Sequence, residues 1–149
     1  MNHLVIYNKK LFGYDYIAAM LRGDKKLGCK FRKNRTAPYQ KLHNGDYLYL
    51  KESSGPVRGR VQVTNVQNKE LTNPEETMDF LAAHSQEIGI TNEVQLTEIW
   101  KLNANKRYLC SWIMEAPEAT RYPVYIQKSD RRSWVVNYEP TEEVLASFF

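Results

Sequence analysis

Residues 45–66 read GDYLYLKESSGPVRGRVQVTNV and predict the centre of the fold. Residues 47–50 and 58–66 are rich in aromatic and β-branched side chains, which favours two strands. In the second strand apolar residues alternate with arginine, glutamine and threonine, as in a strand that is buried on one face. Residues 53–56 (SSGP) supply a tight turn. The stretch therefore predicts two strands that are joined by a short turn.

A cluster of positive charge lies directly upstream, in residues 22–41. Eight basic residues against one acid give it a net charge of +7, so that the rest of the chain, which totals +4, carries −3. Concentrated positive charge attracts phosphates through Coulomb attraction and counterion release. We expect a polyanion as partner, with nucleic acid first, and the alternative is a solvated lysine-rich loop.

Composition sets the class of protein. We expect residues 1–149 to form one domain, because 149 residues with 42% hydrophobic content suffice for one core. The apolar runs are shorter than the ~18 residues of a membrane span, and the first residues do not resemble a signal peptide. A cytoplasmic location with reduced cysteines is expected. The scattered cysteines and histidines form no metal motif, and we expect no metal or cofactor.

The remaining elements combine short strands with a few helices. Apolar residues at helical spacing predict a helix over 9–22 that ends at Gly23, and Asn73 and Pro74 begin a second helix that stops at Gly89. Residues 91–106 permit either a short helix or a loop. Further strands are expected at residues 4–7, 108–114, 122–126 and 134–138, a short strand and a loop in the basic cluster, and a short last helix at 141–149. The sum favours an α+β fold, a small mixed β-barrel of about six strands flanked by two or three helices.

Several motifs together resemble the ASCH domain of the PUA-like superfamily, and the resemblance covers most of the chain. It implies a pseudo-barrel with flanking helices, a cleft between barrel and helix, and RNA binding, with RNA-related hydrolysis in a few members. The motifs are GDKK at residues 23–26, KNRTAPY at 33–39, GD at 45–46, KESSGPV at 51–57 and KSDRRSWVV at 128–136.

One branch of that family resembles a small amidohydrolase that acts on N4-acetylcytidine through a lysine, a threonine and a glutamate. Lys25 matches the position of the lysine, and Glu87 is the nearest candidate for the glutamate. The threonine would fall on Gly28, which has no hydroxyl group. The resemblance therefore implies a binding module first, and the alternative is an RNA-directed hydrolase, either a nucleoside amidohydrolase or a ribonuclease, on the same cleft.

The candidate nucleic-acid contacts are cationic side chains and one aromatic residue. Arginine binds phosphate with a planar fork, lysine supplies a point charge, and an indole can stack on a base. For Trp134, a structural place in the barrel is the alternative. Cys29 lies among cations that would lower the pKa of its thiol, but no histidine base is predictable. The candidate contacts are Lys25, Lys30, Arg32, Arg35, Lys51, Arg131, Arg132 and Trp134.

If the protein is an enzyme, the candidate catalytic residues are Lys25, Glu52 and Glu87. Glu52 could act as a general base and Lys51 could stabilise an oxyanion, although a surface ion pair beside a turn is the simpler interpretation. A third hypothesis is a protein-interaction domain of a transcription or translation assembly. Our first hypothesis is a module that binds RNA or a modified nucleotide in a basic cleft.

Overall fold

The computed structural model describes residues 1–8, 14–127 and 132–149. Within these ranges six strands form one mixed sheet, and they are β1 (Asn2–Tyr7), β2 (Leu27–Arg32), β3 (Tyr47–Glu52), β4 (Val57–Glu70), β5 (Tyr108–Val124) and β6 (Trp134–Val136). The strand order is β2-β5-β4-β3-β1-β6. The β1–β3 pair is parallel and the other pairs are antiparallel. The sheet curls into a half-barrel whose two edge strands are β2 and β6.

Five helices flank the sheet in the described part of the chain: α1 (Tyr16–Arg22), α2 (Pro74–Ala83), α3 (Ser85–Ile88), α4 (Glu93–Asn103) and α5 (Glu142–Ala146). The α+β class is confirmed, as is a barrel-like sheet of six strands. The helices outnumber the two or three expected because the predicted second helix divides at His84, and because residues 93–103 are helical. None of the helices in these ranges has the length and apolar character needed to cross a membrane.

The predicted pair of strands is present as β3 and β4. Buried and half-buried residues alternate along the first part of β4, as the sequence pattern indicated. The backbone N–H of Gly55 donates to the carbonyl of Glu52 at 3.0 Å and closes the turn. The register between the two strands shifts at Leu50 and Lys51. This pair forms the middle of the sheet and carries much of its core.

Local capping fixes the ends of the helices. Asp15 accepts a hydrogen bond from the N–H of Ala18 at 3.0 Å, so α1 begins at Tyr16, and the predicted continuous helix over 9–22 is wrong because residues 14 and 15 are not helical. Residues 9–13 lie outside the described ranges. Gly23 ends α1 in the left-handed conformation at φ 80°, as predicted. Asn73 caps α2 and Thr141 caps α5, also as predicted.

The β5 strand is longer than expected and shapes the sheet. The two strands predicted at 108–114 and 122–126 are largely one strand of 17 residues, which pairs with β4 along most of its length. The β4–β5 register shifts at three places, and such bulges bend a strand and increase its twist. The bent pair carries β2 round towards β6, and a gap is left between these two edge strands.

Candidate nucleic-acid interface

A cleft of about 860 Å³ lies at the gap between the edge strands. It is bounded by β1, β2, the end of β3 and the start of β6, with α2, α3 and α4 along one side. The described side chains that line it are mostly apolar, aromatic or cationic. They include Val5, Tyr7, Tyr16, Lys25, Gly28, Lys30, Phe31, Lys51, Leu81, Ile88, Leu102, Lys106, Trp112, Arg132 and Trp134.

The cleft is strongly electropositive. Its described lining contains five cationic residues, Lys25, Lys30, Lys51, Lys106 and Arg132, and no aspartate or glutamate. For three of them, Lys25, Lys30 and Lys106, the described residues provide no carboxylate within 4.0 Å. An anion that enters the cleft would therefore meet positive charge that these residues leave uncompensated.

Lys30 lies on β2, half-buried at the wall of the cleft. Burial lowers the pKa of its ammonium to about 8, and the neighbouring charges of Arg32 and Lys106 act in the same direction. Burial and like charges both disfavour the protonated form of Lys30. A bound anion would stabilise the ammonium and raise its pKa again. Lys30 is therefore well suited to bind a phosphate.

Lys25 is a buried lysine that lines the cleft, with 6% of its surface exposed. Its Nζ donates to the carbonyls of Leu27 at 3.1 Å and Ile88 at 2.8 Å, and it lies 5.4 Å from the centre of the Tyr16 ring. Burial lowers the pKa of this ammonium. Lys25 therefore lines the cleft as predicted. Its two hydrogen bonds hold it in one position, so it is not a mobile surface lysine.

Lys51 and Glu52, which the sequence placed together at the mouth of the barrel, face different surroundings. Lys51 is buried, lines the cleft and donates to the carbonyl of Glu52 at 2.9 Å. The carboxylate of Glu52 instead accepts a hydrogen bond from Arg58 at 3.0 Å and does not line the cleft. Neighbouring strand residues point to opposite faces, which explains the separation. Glu87 is exposed on α3 and also lies outside the lining.

Gly28 lets an indole ring form part of the lining. Gly28 on the edge strand β2 is paired with Trp112 on β5. A Cβ atom at residue 28 would lie 2.2 Å from Cε2 and Nε1 of the Trp112 ring, so any side chain would collide with it. The threonine that the sequence resemblance would place at residue 28 could therefore be accommodated only if the Trp112 ring moved. Trp112 Nε1 is buried and has no hydrogen-bond acceptor among the described residues.

Trp134 is a core residue that also lines the cleft, and 3% of its surface is exposed. Its Nε1 donates to Nδ1 of His3 at 3.0 Å, so Nε2 of the same ring carries the hydrogen and donates to Asp46 at 2.8 Å. Burial lowers the pKa of His3 and outweighs the opposing effect of Asp46, which favours this neutral tautomer. The contacts of Trp134 are therefore those of a structural residue of the barrel, which was the alternative to base stacking. Little of the ring is exposed for stacking on a base.

A second recess, of about 540 Å³, adjoins the cleft. Its described charged residues are also all cationic: Arg32, Arg35, Lys41 and Arg132. Arg32 is held by a hydrogen bond from Nε to the carbonyl of Ala37 at 3.0 Å, whereas Arg35 is exposed and lies 3.8 Å from Glu70. Two more of the predicted contacts, Arg32 and Arg35, thus belong to this recess.

The structure also tests the prediction for Cys29 and adds Lys106 to the site. Burial raises the pKa of the Cys29 thiol and outweighs the effect of Lys25 and Lys30, so the expected lowering was wrong. Arg131 lies outside the described residues. Lys106, in the loop after α4, also lines the cleft and was not among the predicted contacts. Lys106 follows two asparagines, a composition that is typical of a solvated loop. The sequence alone did not indicate that this loop lies next to β2.

The half-barrel and its flanking helices define an α+β fold of the ASCH, PUA-like type. Solved structures agree: the ASCH protein of Zymomonas mobilis superposes with a TM-score of 0.65 over 98% of this chain and 92% of that chain, at 9% identity. The N-terminal domain of Staphylothermus marinus McrB superposes with a TM-score of 0.50 over 83% of this chain and 75% of that chain, at 9% identity. A DUF984 protein of Enterococcus faecalis V583 superposes with a TM-score of 0.51 over 76% of this chain and 74% of that chain, at 13% identity. No protein-family model and no curated protein matches the chain.

Proposed function

We propose that the protein binds RNA, as a single strand or through a modified nucleotide, in the cleft between β2 and β6. The observation that carries this proposal is the charge of the cleft, whose described lining holds five cationic residues and no carboxylate. Such a surface favours phosphate, and the volume of about 860 Å³ is in the range of cavities that hold a small molecule. The ASCH-type fold favours RNA among the phosphate-bearing ligands.

The cleft supports binding better than hydrolysis. Lys25 and Lys51 both line it, but the side chains of Glu52 and Glu87 do not. General acid–base chemistry needs a proton-transfer group within reach of the substrate, and Gly28 offers no nucleophile. The described part of the cleft therefore contains the lysine, Lys25, but neither the threonine nor the glutamate that the resemblance to the amidohydrolase branch implies.

Salt dependence of RNA binding tests this proposal. We expect the affinity for a single-stranded RNA of about 12 nucleotides, measured by fluorescence anisotropy, to fall about 20-fold between about 50 and about 200 mM salt, as for about three neutralised phosphates. The RNA should be recovered intact. An affinity that is independent of salt would contradict the proposal, and a cleaved RNA would move the protein to the hydrolase class.

A further inference from the structure

The wall between the cleft and the recess is formed by three consecutive residues, Arg132, Ser133 and Trp134, which line both cavities. We call this segment the ridge. Hydrogen bonds from β1 and from the edge strand β2 hold it in position. The N–H of Ile6 on β1 donates to the carbonyl of Ser133 at 2.9 Å, and Arg32 on β2 approaches the Ser133 hydroxyl at 3.5 Å. The two cavities are therefore neighbours that share this segment.

Each side of the ridge carries its own cationic group. On the cleft side are Lys30 and Lys106, and on the recess side are Arg35 and Lys41. The described lining of the two cavities taken together contains no acidic residue, so the positive surface continues across the ridge without interruption. Consecutive phosphates of one nucleic-acid chain can contact the two groups at the same time.

We propose that the ligand is an oligonucleotide that crosses the ridge, with one phosphate in the cleft and a further phosphate in the recess. This inference rests on the proposed RNA binding and specifies its substrate class. A mononucleotide fills the cleft and leaves the recess empty. Because the second contact is then intramolecular, affinity rises with chain length once the ligand spans the ridge.

The test compares ligand length with the position of the removed charge. Nucleoside monophosphate and single-stranded RNAs of increasing length are titrated into the wild-type protein and into K30Q, K41Q and K69Q variants. Lys30 lies in the cleft and Lys41 in the recess, while Lys69 is an exposed lysine of β4 outside both cavities and is the matched control. Binding is followed by NMR for the mononucleotide and by anisotropy for the longer RNAs.

We expect K41Q to weaken binding of the long RNA by about fivefold, as for one lost phosphate contact, and to leave the mononucleotide unaffected. K30Q should weaken both, and K69Q neither. The inference is overturned if affinity does not increase beyond one nucleotide, or if K41Q affects the mononucleotide as strongly as the long RNA. In those cases RNA binding itself survives. If RNA of every length fails to bind, the proposed function fails as well.

Discussion

Replacing Lys30 by glutamate is expected to reduce RNA affinity by about 100-fold, since it removes a phosphate contact and adds a carboxylate to a cleft whose described lining has none. The new carboxylate can pair with Arg32 and Lys106, so the fold should be retained. The matched control is Lys26→Glu, because Lys26 is exposed four residues earlier and lies outside the cleft. Anisotropy titrations measure both variants, and equal losses would show that only net charge matters.

The same lysine gives a pH dependence whose sign follows from its pKa. In the free protein burial lowers the pKa of Lys30 to about 8, and a bound phosphate raises it again. RNA binding is then accompanied by the uptake of a proton at any pH between the pKa of Lys30 in the free protein and its pKa in the complex. RNA affinity should be highest below pH about 8 and fall as the pH rises through that value, and the fall should be smaller in Lys30→Gln, where only the other cleft lysines titrate.

The second large effect is on stability, at Gly28. Gly28→Ala places a Cβ 2.2 Å from the Trp112 ring, which is buried in the core. The centroids of the Trp112 and Trp134 rings are 5.3 Å apart. We expect the free energy of unfolding to fall by about 3 kcal/mol, because a rigid indole cannot move aside without disturbing its neighbours. Urea unfolding measures the loss, and a shift of tryptophan fluorescence should accompany it.

Gly45→Ala is the control for the loss of a glycine. A Cβ at Gly45 meets no atom within 4 Å, so only the positive φ of 92° opposes the substitution. That strain is expected to cost about 1 kcal/mol. If Gly28→Ala proves no more destabilising than Gly45→Ala, Trp112 does not cover residue 28 as described, and a side chain at this position is compatible with the cleft.

Local signals in the sequence were sufficient for the centre of the fold. Alternation along β4 and the capping residues Asn73 and Thr141 each act within a few positions, so the sequence alone shows them. The length of β5 did not follow from such signals. Its second half is largely exposed, and it is a strand because it pairs with β4. Tertiary pairing of this kind is not encoded by local propensity.

The candidate site was predictable in part, and the limits have physical reasons. The basic cluster supplies Lys25 and Lys30 to the cleft, while its residues Arg32, Arg35 and Lys41 line the adjacent recess. Lys51 and Glu52 could not both face the cleft, because strand residues alternate. Lys106 reaches it only because α4 returns the chain to the edge of β2, where Arg107 N donates to the carbonyl of Arg32 at 3.1 Å.

The most direct test of RNA binding in the cleft uses the three indole N–H signals in an NMR titration. Trp112 and Trp134 line the cleft, whereas Trp100 on α4 donates its N–H to the carbonyl of Pro74 and lies outside it. With single-stranded RNA we expect the Trp112 and Trp134 signals to shift together and saturate, while that of Trp100 stays in place. A shift of Trp100 alone, or saturated binding with Trp112 and Trp134 unmoved, would contradict RNA binding in this cleft.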